Sequence, residues 1–166
     1  MTGERLAGYV NALSDERARA ALHRCCGARH WVDAMLAARP FRSDAELLAT
    51  AERVWWDLGR ADWLEAFAAH PRIGDRGEPG TDWARGEQAG ADGAAEATLT
   101  ALAQENRAYE RRFGHVFLIS ATGKTAAEML GALRRRLTND PATELRLAAE
   151  EHAKITRLRL DKLVAS

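Results

Sequence analysis

The stretch DPATELRLAAEEHAKITRLRLDKLV, residues 140–164, decides the fold class of this chain. Asp140 followed by Pro141 is typical of a helix start, because an Asp side chain accepts hydrogen bonds from the first N–H groups and Pro suits the first helical position. Ala, Leu, Arg and Glu, all strong helix formers, dominate the residues that follow. We therefore predict a long helix over 141–164.

The same helical composition extends over the rest of the chain, where strand-forming residues are scattered and predict no sheet. Ser14 is a candidate N-cap, and Ser43–Glu46 and Thr125–Glu128 have the spacing of capping boxes. One short apolar segment, Val116–Ile119, is compatible with an extended chain. The predicted helices cover residues 4–12, 15–26, 28–37, 44–58, 62–69, 94–113, 126–137 and 141–164. We expect an all-α, single-domain compact bundle of about eight helices over residues 1–166.

Composition excludes several classes of protein. The 166 residues carry 24 Lys and Arg against 24 Asp and Glu, so the chain lacks the basic excess of a nucleic-acid-binding domain. No apolar run approaches the roughly 20 residues that span a bilayer, and the N-terminus lacks the apolar core of a signal peptide. The two cysteines, Cys25 and Cys26, are adjacent, which excludes a disulfide framework. We expect a cytoplasmic protein with no nucleic-acid or membrane partner.

Known cofactor and metal motifs are absent from the sequence. Residues 120–125, SATGKT, end like a phosphate-binding loop, but the motif needs a glycine where Leu118 stands. No HExxH zinc motif, GxSxG nucleophile elbow or glycine-rich dinucleotide fingerprint occurs. The sequence therefore predicts neither a metal nor a cofactor.

Two polar elements are candidates for chemistry. His70 follows an apolar helix end and precedes Pro71, which restricts its backbone to extended conformations. An imidazole held there suits general acid–base catalysis, although a capping or surface histidine fits the same pattern. Glu87 and Gln88 place a carboxylate beside a carboxamide. They could bind one small polar ligand from a helix end, or form an exposed polar pair, and the residues alone leave both possibilities open.

The last helix contributes a third candidate. At 3.6 residues per turn one stripe contains Leu145, Ala148, His152, Ile155, Arg159 and Leu163. Arg159 interrupts this apolar stripe, and a buried guanidinium needs an anionic partner. That partner is either an internal carboxylate or an anionic ligand. Arg157 belongs to the opposite, solvated stripe, and Arg134–Arg136 complement a helix C-terminus.

Four segments, taken in order, resemble a known family. They are AHPRIGD (69–75), WARGEQAG (83–90), YERRFGHVFLISATG (109–123) and KITRLRL (154–160). At these spacings the chain is similar to the 2-oxo-4-hydroxy-4-carboxy-5-ureidoimidazoline (OHCU) decarboxylases of uric acid breakdown. The resemblance extends from about Leu6 to Leu163. It implies an all-helical, cofactor-free carboxy-lyase of purine metabolism, commonly a homodimer, that converts a small ureide substrate to (S)-allantoin.

The resemblance also implies roles for particular residues. His70, Glu87 and Arg159 would be catalytic. The substrate-binding residues would be Pro71, Ala84, Gln88, Phe117, Leu118, Ile119 and Ser120, with backbone groups of 117–120 lining the pocket. The family usually has a serine three residues before the glutamate, and this chain has Ala84 there. One substrate hydrogen bond is therefore missing or replaced.

Two other functions fit the same residues. An all-helical interaction module that has lost activity would explain Ala84, although a binding surface has no need of His70, Glu87, Gln88 and Arg159 together. A decarboxylase or hydrolase acting on a different ureido compound is the other alternative. An interaction module should leave OHCU to decay at its spontaneous rate, whereas a related enzyme should act on a neighbouring ureide instead.

Overall fold

The computed structural model describes residues 4–70, 93–121 and 123–165. Within them the chain forms eight helices and no strand, which confirms the predicted all-α class. None of these helices is both long enough and apolar enough to cross a bilayer. The helices are α1 (Arg5–Ala12), α2 (Asp15–Cys25), α3 (Arg29–Ala38), α4 (Asp44–Asp57), α5 (Arg60–Ala68), α6 (Gly93–Phe113), α7 (Ala126–Arg136) and α8 (Pro141–Lys162).

Two helices begin at the caps that the sequence predicts. The Ser14 hydroxyl accepts a hydrogen bond from the Arg17 N–H at 3.2 Å, which starts α2. At the start of α7, the Glu128 N–H donates to the Thr125 hydroxyl and the Thr125 N–H donates to the Glu128 carboxylate, each at 3.1 Å. This reciprocal pair satisfies two N–H groups that a helix start leaves without intrahelical partners, and confirms the predicted capping box.

The other two predicted caps are also present, one of them in altered form. Asp140 accepts from the Thr143 N–H at 3.1 Å ahead of α8. Ser43 accepts from the Glu46 N–H at 3.1 Å ahead of α4. The Glu46 carboxylate, however, accepts from the N–H of Arg42, one residue earlier than a capping box requires. The cap at Ser43 is confirmed, and the reciprocal half of the box is displaced by one residue.

The start of α5 and the end of α8 each differ by two residues from the predicted helix boundaries. We predicted a helix from residue 62, and α5 begins at Arg60. Asp62 therefore lies in the first turn of α5. Its carboxylate lies 3.4 Å from the N–H of Gly59, the residue that precedes the helix. The remaining helices begin and end within two residues of the predicted positions. Residues 116–120 have neither helical nor strand structure.

The chain divides into two compact units. The first contains Met1–Ala69 and Ala153–Ser166, and the second contains His70–His152. In the first unit the Trp55 ring lies 6.0 Å from that of Trp63 and 6.5 Å from that of Phe67, measured between centroids. These aromatic contacts pack α4 against α5. The expectation of a single domain over residues 1–166 stays a prediction.

The core of the second unit lies between α6, α7 and the irregular segment that joins them. The Tyr109 ring lies 4.7 Å from Phe113 and 5.3 Å from Phe117, measured between ring centroids. The buried residues of this core are Leu102, Tyr109, Phe113, Phe117, Ile119, Met129, Leu130 and Leu133. Packing therefore fixes residues 117–119, although they belong to no helix.

The buried face of α8 is rotated relative to the predicted stripe. Ala148 and His152 are fully buried, as the stripe predicts. Leu145, Ile155, Arg159 and Leu163 are only half-buried. The remaining buried positions are Glu144, Ala149, Thr156 and Leu160. The helical period was predicted correctly, and the phase differs because two polar residues, Glu144 and Thr156, take buried positions.

Candidate active site

His70 comes directly after the end of α5. The Ala69 N–H closes that helix by donating to the Ala66 carbonyl at 3.2 Å. His70 itself is half-buried and lies outside any helix. Its ring packs edge to face against that of His152, with centroids 4.8 Å apart and planes at 89°. The imidazole that the sequence selects is therefore held by an aromatic contact.

His152 is a residue to which the sequence assigned no role. It is fully buried in α8. Among the residues described, no group of three His, Cys, Asp or Glu side chains could hold a metal ion. The available signal was its position in the apolar stripe of α8, where a polar ring needs a specific environment. That environment includes His70.

Residues Phe117–Ser120, predicted to line the pocket, are held through their backbone as well as their side chains. Phe117, Leu118 and Ile119 are buried, with 0%, 3% and 8% of their surface exposed. The Ser120 N–H donates to the Glu151 carboxylate at 2.9 Å. Consecutive residues of α8, Glu151 and His152, therefore contact Ser120 and His70 respectively.

A buried ion pair supports the other side of this segment. Arg136 donates from Nη1 to the Leu118 carbonyl at 2.6 Å and from Nε to the Glu144 carboxylate at 2.8 Å. Its guanidinium carbon lies 4.6 Å from the centre of the Phe117 ring. Only 11% of the Arg136 side chain and none of the Glu144 side chain is exposed. The sequence places Arg136 in a basic cluster at a helix end and does not predict its pairing with Glu144.

Two further side chains complete the environment of the Glu144 carboxylate. The Tyr109 hydroxyl donates to Oε2. The Asn139 amide donates to Oε1 at 3.1 Å. Burial, and then the hydrogen bond to Glu144, raise the pKa of the Tyr109 phenol far above its usual range. A fully buried carboxylate is tolerated here because a cation and hydrogen-bond donors surround it.

Arg159 lies in the first unit. Its Nη1 donates to the Arg24 carbonyl at 3.3 Å. Burial lowers the pKa of its guanidinium. A carbonyl oxygen carries no net charge, so this contact does not supply the anionic partner that the sequence calls for. The anionic partner of Arg159, an internal carboxylate or an anionic ligand, stays a prediction.

The two cysteines are packing residues. Cys25 and Cys26 are free and buried. Burial raises the pKa of Cys25 to about 11 and that of Cys26 to about 12. Since the thiolate is the reactive form, neither side chain suits nucleophilic catalysis at neutral pH.

The remaining predicted site residues lie outside the described part of the chain. They are Pro71, Ala84, Glu87 and Gln88. Their roles rest on the sequence alone.

The known proteins that this chain resembles belong to one family. The sequence profile of the OHCU decarboxylases matches residues 11–161. The chain is 31% identical over 160 residues to the 2-oxo-4-hydroxy-4-carboxy-5-ureidoimidazoline decarboxylase of Haloferax volcanii, and covers 95% of both chains. It is 42% identical over 146 residues to the uric acid degradation bifunctional protein TTL of Arabidopsis thaliana. That match covers 84% of this chain but only 45% of the plant protein.

The fold has a solved counterpart. The structure is similar to a crystal structure of an OHCU decarboxylase determined in the presence of (S)-allantoin, with a TM-score of 0.76 and 37% sequence identity. The match covers 93% of this chain and 100% of the other.

Proposed function

Because this chain belongs to the OHCU decarboxylase family, we propose that it catalyses the cofactor-independent decarboxylation of OHCU to (S)-allantoin in urate breakdown. The observation that carries this proposal is the family match over residues 11–161, which spans all four sequence segments from His70 to Arg159. The solved relative in the presence of (S)-allantoin supports the same product class. The substrate is a small ureide.

The chemistry of this substrate explains why the chain needs no external electron sink. Its carboxylate stands on a carbon next to a ring C=N. When the bond to carbon dioxide breaks, its electron pair forms a carbon–carbon double bond and the imine electrons move to nitrogen, which takes up a proton. A later proton delivered to one face of the adjacent carbon makes the product chiral, while the hydroxyl loses its proton to become a carbonyl. The protein must orient the breaking bond, exclude water and move protons.

The residues divide these tasks. His70 is the acid–base group, and Glu87 sets its tautomer and charge. Arg159 and backbone N–H groups hold the oxygens and the ureido group of the substrate, and Gln88 contacts the substrate. Pro71, Ala84 and the backbone of Phe117–Ser120 line the pocket. The Leu118 carbonyl and the Ser120 N–H are bound by Arg136 and Glu151, so they shape this wall as anchored groups.

The enzyme works as a homodimer in the cytoplasm. Membership of a family that is commonly dimeric supports the first part, and two free, buried cysteines are compatible with a reducing compartment. Sedimentation equilibrium of the purified protein tests the oligomeric state, and a monomer at micromolar concentration contradicts it.

Circular dichroism during urate oxidation tests the reaction. OHCU is generated freshly from urate by the two upstream enzymes, the protein is added, and the signal of (S)-allantoin is followed. We expect prompt appearance of this signal, and His70→Ala to slow it by about 10²–10⁴-fold, the usual contribution of general acid–base catalysis. His23→Asn, at an exposed histidine of α2, is the matched control and should leave the rate unchanged.

Two results would contradict this function. A slow rise to racemic product, no faster than without protein, would favour an interaction module or an enzyme for another ureide. An unchanged rate in a folded His70→Ala protein would exclude His70 as the acid–base group.

A further inference from the structure

Two histidine rings meet at the ends of the second unit. His70 and His152 are the first and last residues of that unit. Their centroids lie 4.8 Å apart and their planes are perpendicular within a degree, at 89°. His152 has no exposed surface, whereas His70 is half-buried. The partly exposed ring of His70 therefore packs against the fully buried ring of His152.

His152 is the more firmly held of the two. It lies within α8, a helix of 22 residues, and is fully buried. The preceding residue, Glu151, binds the Ser120 N–H at 2.9 Å, which ties this turn of α8 to the 117–120 segment. His70, in contrast, lies beyond the end of α5 and outside any helix. The contact with His152, which a helix holds in place, therefore restricts the movement of the His70 ring, which lies outside any helix.

The contact constrains the direction in which the His70 imidazole points. In an edge-to-face pair one ring covers part of the face or edge of the other, so rotation about the Cβ–Cγ bond of His70 brings its ring into steric conflict with His152. Proton transfer requires a donor and an acceptor within hydrogen-bond distance and in line. A displacement of about 1 Å at such a site can cost about 10²-fold in rate.

We propose that His152 is a positioning residue for the decarboxylation, acting through its ring contact with His70. The proposal rests on the proposed function, since it takes His70 as the proton-transferring group. His152 does not itself touch the substrate. It fixes the orientation of His70, and its aromatic ring is the part of the side chain that does so.

Replacing the ring tests this role. His152→Leu fills the buried position with an apolar side chain and removes the ring, and we expect kcat to fall about 10- to 100-fold while KM changes less than about twofold. His152→Phe keeps a ring, and should retain kcat within about threefold of the wild-type value. His23→Asn is the control for loss of an exposed histidine. Equal losses in the Leu and Phe variants, or no loss in either, would overturn the proposal.

The same substitution in a His70→Ala protein distinguishes a positioning role of His152 from an effect on the fold as a whole. In a His70→Ala protein there is no imidazole to orient, so His152→Leu should cause no further loss of activity. A further loss as large as that seen with His70 present would mean that His152 acts through the fold as a whole, and would overturn the proposal. If His152→Leu does not fold, His152→Gln provides a second variant without a ring.

Nuclear magnetic resonance without substrate tests the contact between His70 and His152 even if the protein does not consume OHCU. We expect the imidazole resonances of His70 to shift in His152→Leu and to stay unchanged in His23→Asn, because ring currents act over a few ångströms. Unshifted His70 resonances would overturn the contact and the proposal with it. A wild-type protein that does not consume OHCU, but shows these shifts, would instead refute the proposed function.

Discussion

Arg136, the last residue of α7, is paired with the fully buried carboxylate of Glu144 in the first turn of α8. The same guanidinium donates to the Leu118 carbonyl at 2.6 Å and lies over the Phe117 ring. One side chain therefore connects two helices to the segment that we propose to line the substrate pocket. Its loss should affect both stability and the site.

Neutralising the buried carboxylate should be strongly destabilising. Glu144→Gln keeps the shape of the side chain but leaves the Arg136 charge, 11% exposed, without its anionic partner. Breaking such a pair costs about 3–5 kcal/mol of the free energy of unfolding. Urea unfolding measures this loss. Glu150→Gln, in an exposed pair with Arg146, is the matched control and should change stability by less than about 0.5 kcal/mol. Equal unfolding midpoints for the two variants would contradict the importance of the buried pair.

The Tyr109 hydroxyl should contribute measurably through its hydrogen bond to Glu144. Tyr109→Phe removes only this hydroxyl, from a fully buried ring. Since the acceptor is charged, we expect a loss of about 1.5–3 kcal/mol in the free energy of unfolding. Tyr9→Phe, at a ring that is 39% exposed, should have little effect. A Tyr109→Phe protein as stable as Tyr9→Phe would show that the hydroxyl contributes nothing net.

The buried thiols should make stability depend on alkaline pH. Burial raises the pKa of Cys25 from 9.0 to about 11 and that of Cys26 from 9.0 to about 12. The unfolded chain therefore loses these protons first. Their contribution to stability is complete below about pH 9 and is lost as the pH rises through the folded pKa values. Urea unfolding at pH 8, 9.5 and 11 should show this fall, and Cys25→Ala should reduce it.

The same pKa shifts predict low thiol reactivity in the native state. At pH 8 the rise in the pKa of Cys25 from 9.0 to about 11 lowers its thiolate fraction about 100-fold relative to the unfolded chain. Iodoacetamide should therefore alkylate neither cysteine at an appreciable rate until urea unfolds the protein. Rapid native-state labelling, measured by mass spectrometry, would contradict this burial.

Two arginines on α8 provide a matched test of substrate binding. Arg159→Lys replaces a half-buried guanidinium that we propose to hold the substrate. We expect kcat/KM to fall about 10- to 100-fold, chiefly through KM, because a hydrogen bond to a charged group contributes about 1.5–3 kcal/mol. Arg157→Lys changes the neighbouring exposed guanidinium, which pairs with Asp161 at 3.7 Å, and should leave kcat/KM unchanged. Equal kinetics in both variants would exclude Arg159 from the site.

Helix starts were predictable from the sequence because their interactions are local. The hydrogen bonds at Ser14 and Thr125 join residues three apart, so four letters of sequence contain both partners. The solvated face of α8 was predictable for a similar reason, since Arg157 and Asp161 are four residues apart on one helix. The choice of His70, in contrast, depended on recognising four segments in order, since its local pattern also fits a capping or surface histidine.

Contacts between distant residues were not predictable. Tyr109 and Glu144 lie 35 residues apart, and nothing near Glu144 in the sequence distinguishes it from an exposed glutamate at a helix start. This pairing also explains why Glu144 takes a buried position on α8, because a carboxylate enters the core only where a cation and donors meet it. The burial of Arg136 was not predictable for the same reason, because in the sequence it is one of three consecutive arginines at a helix end.

By itself, then, the sequence determined the all-α class, the positions of the helices to within two residues, and the family with its candidate residues His70, Glu87 and Arg159. Helix propensity, capping and helical period involve residues that are close together in the sequence, so they can be recognised without the tertiary structure. Tertiary structure alone decided which of several arginines enters the core, which glutamate it meets, and that His152 lies against His70. Those outcomes depend on the burial of charge and on ring packing between helices, which exist only once the chain has folded.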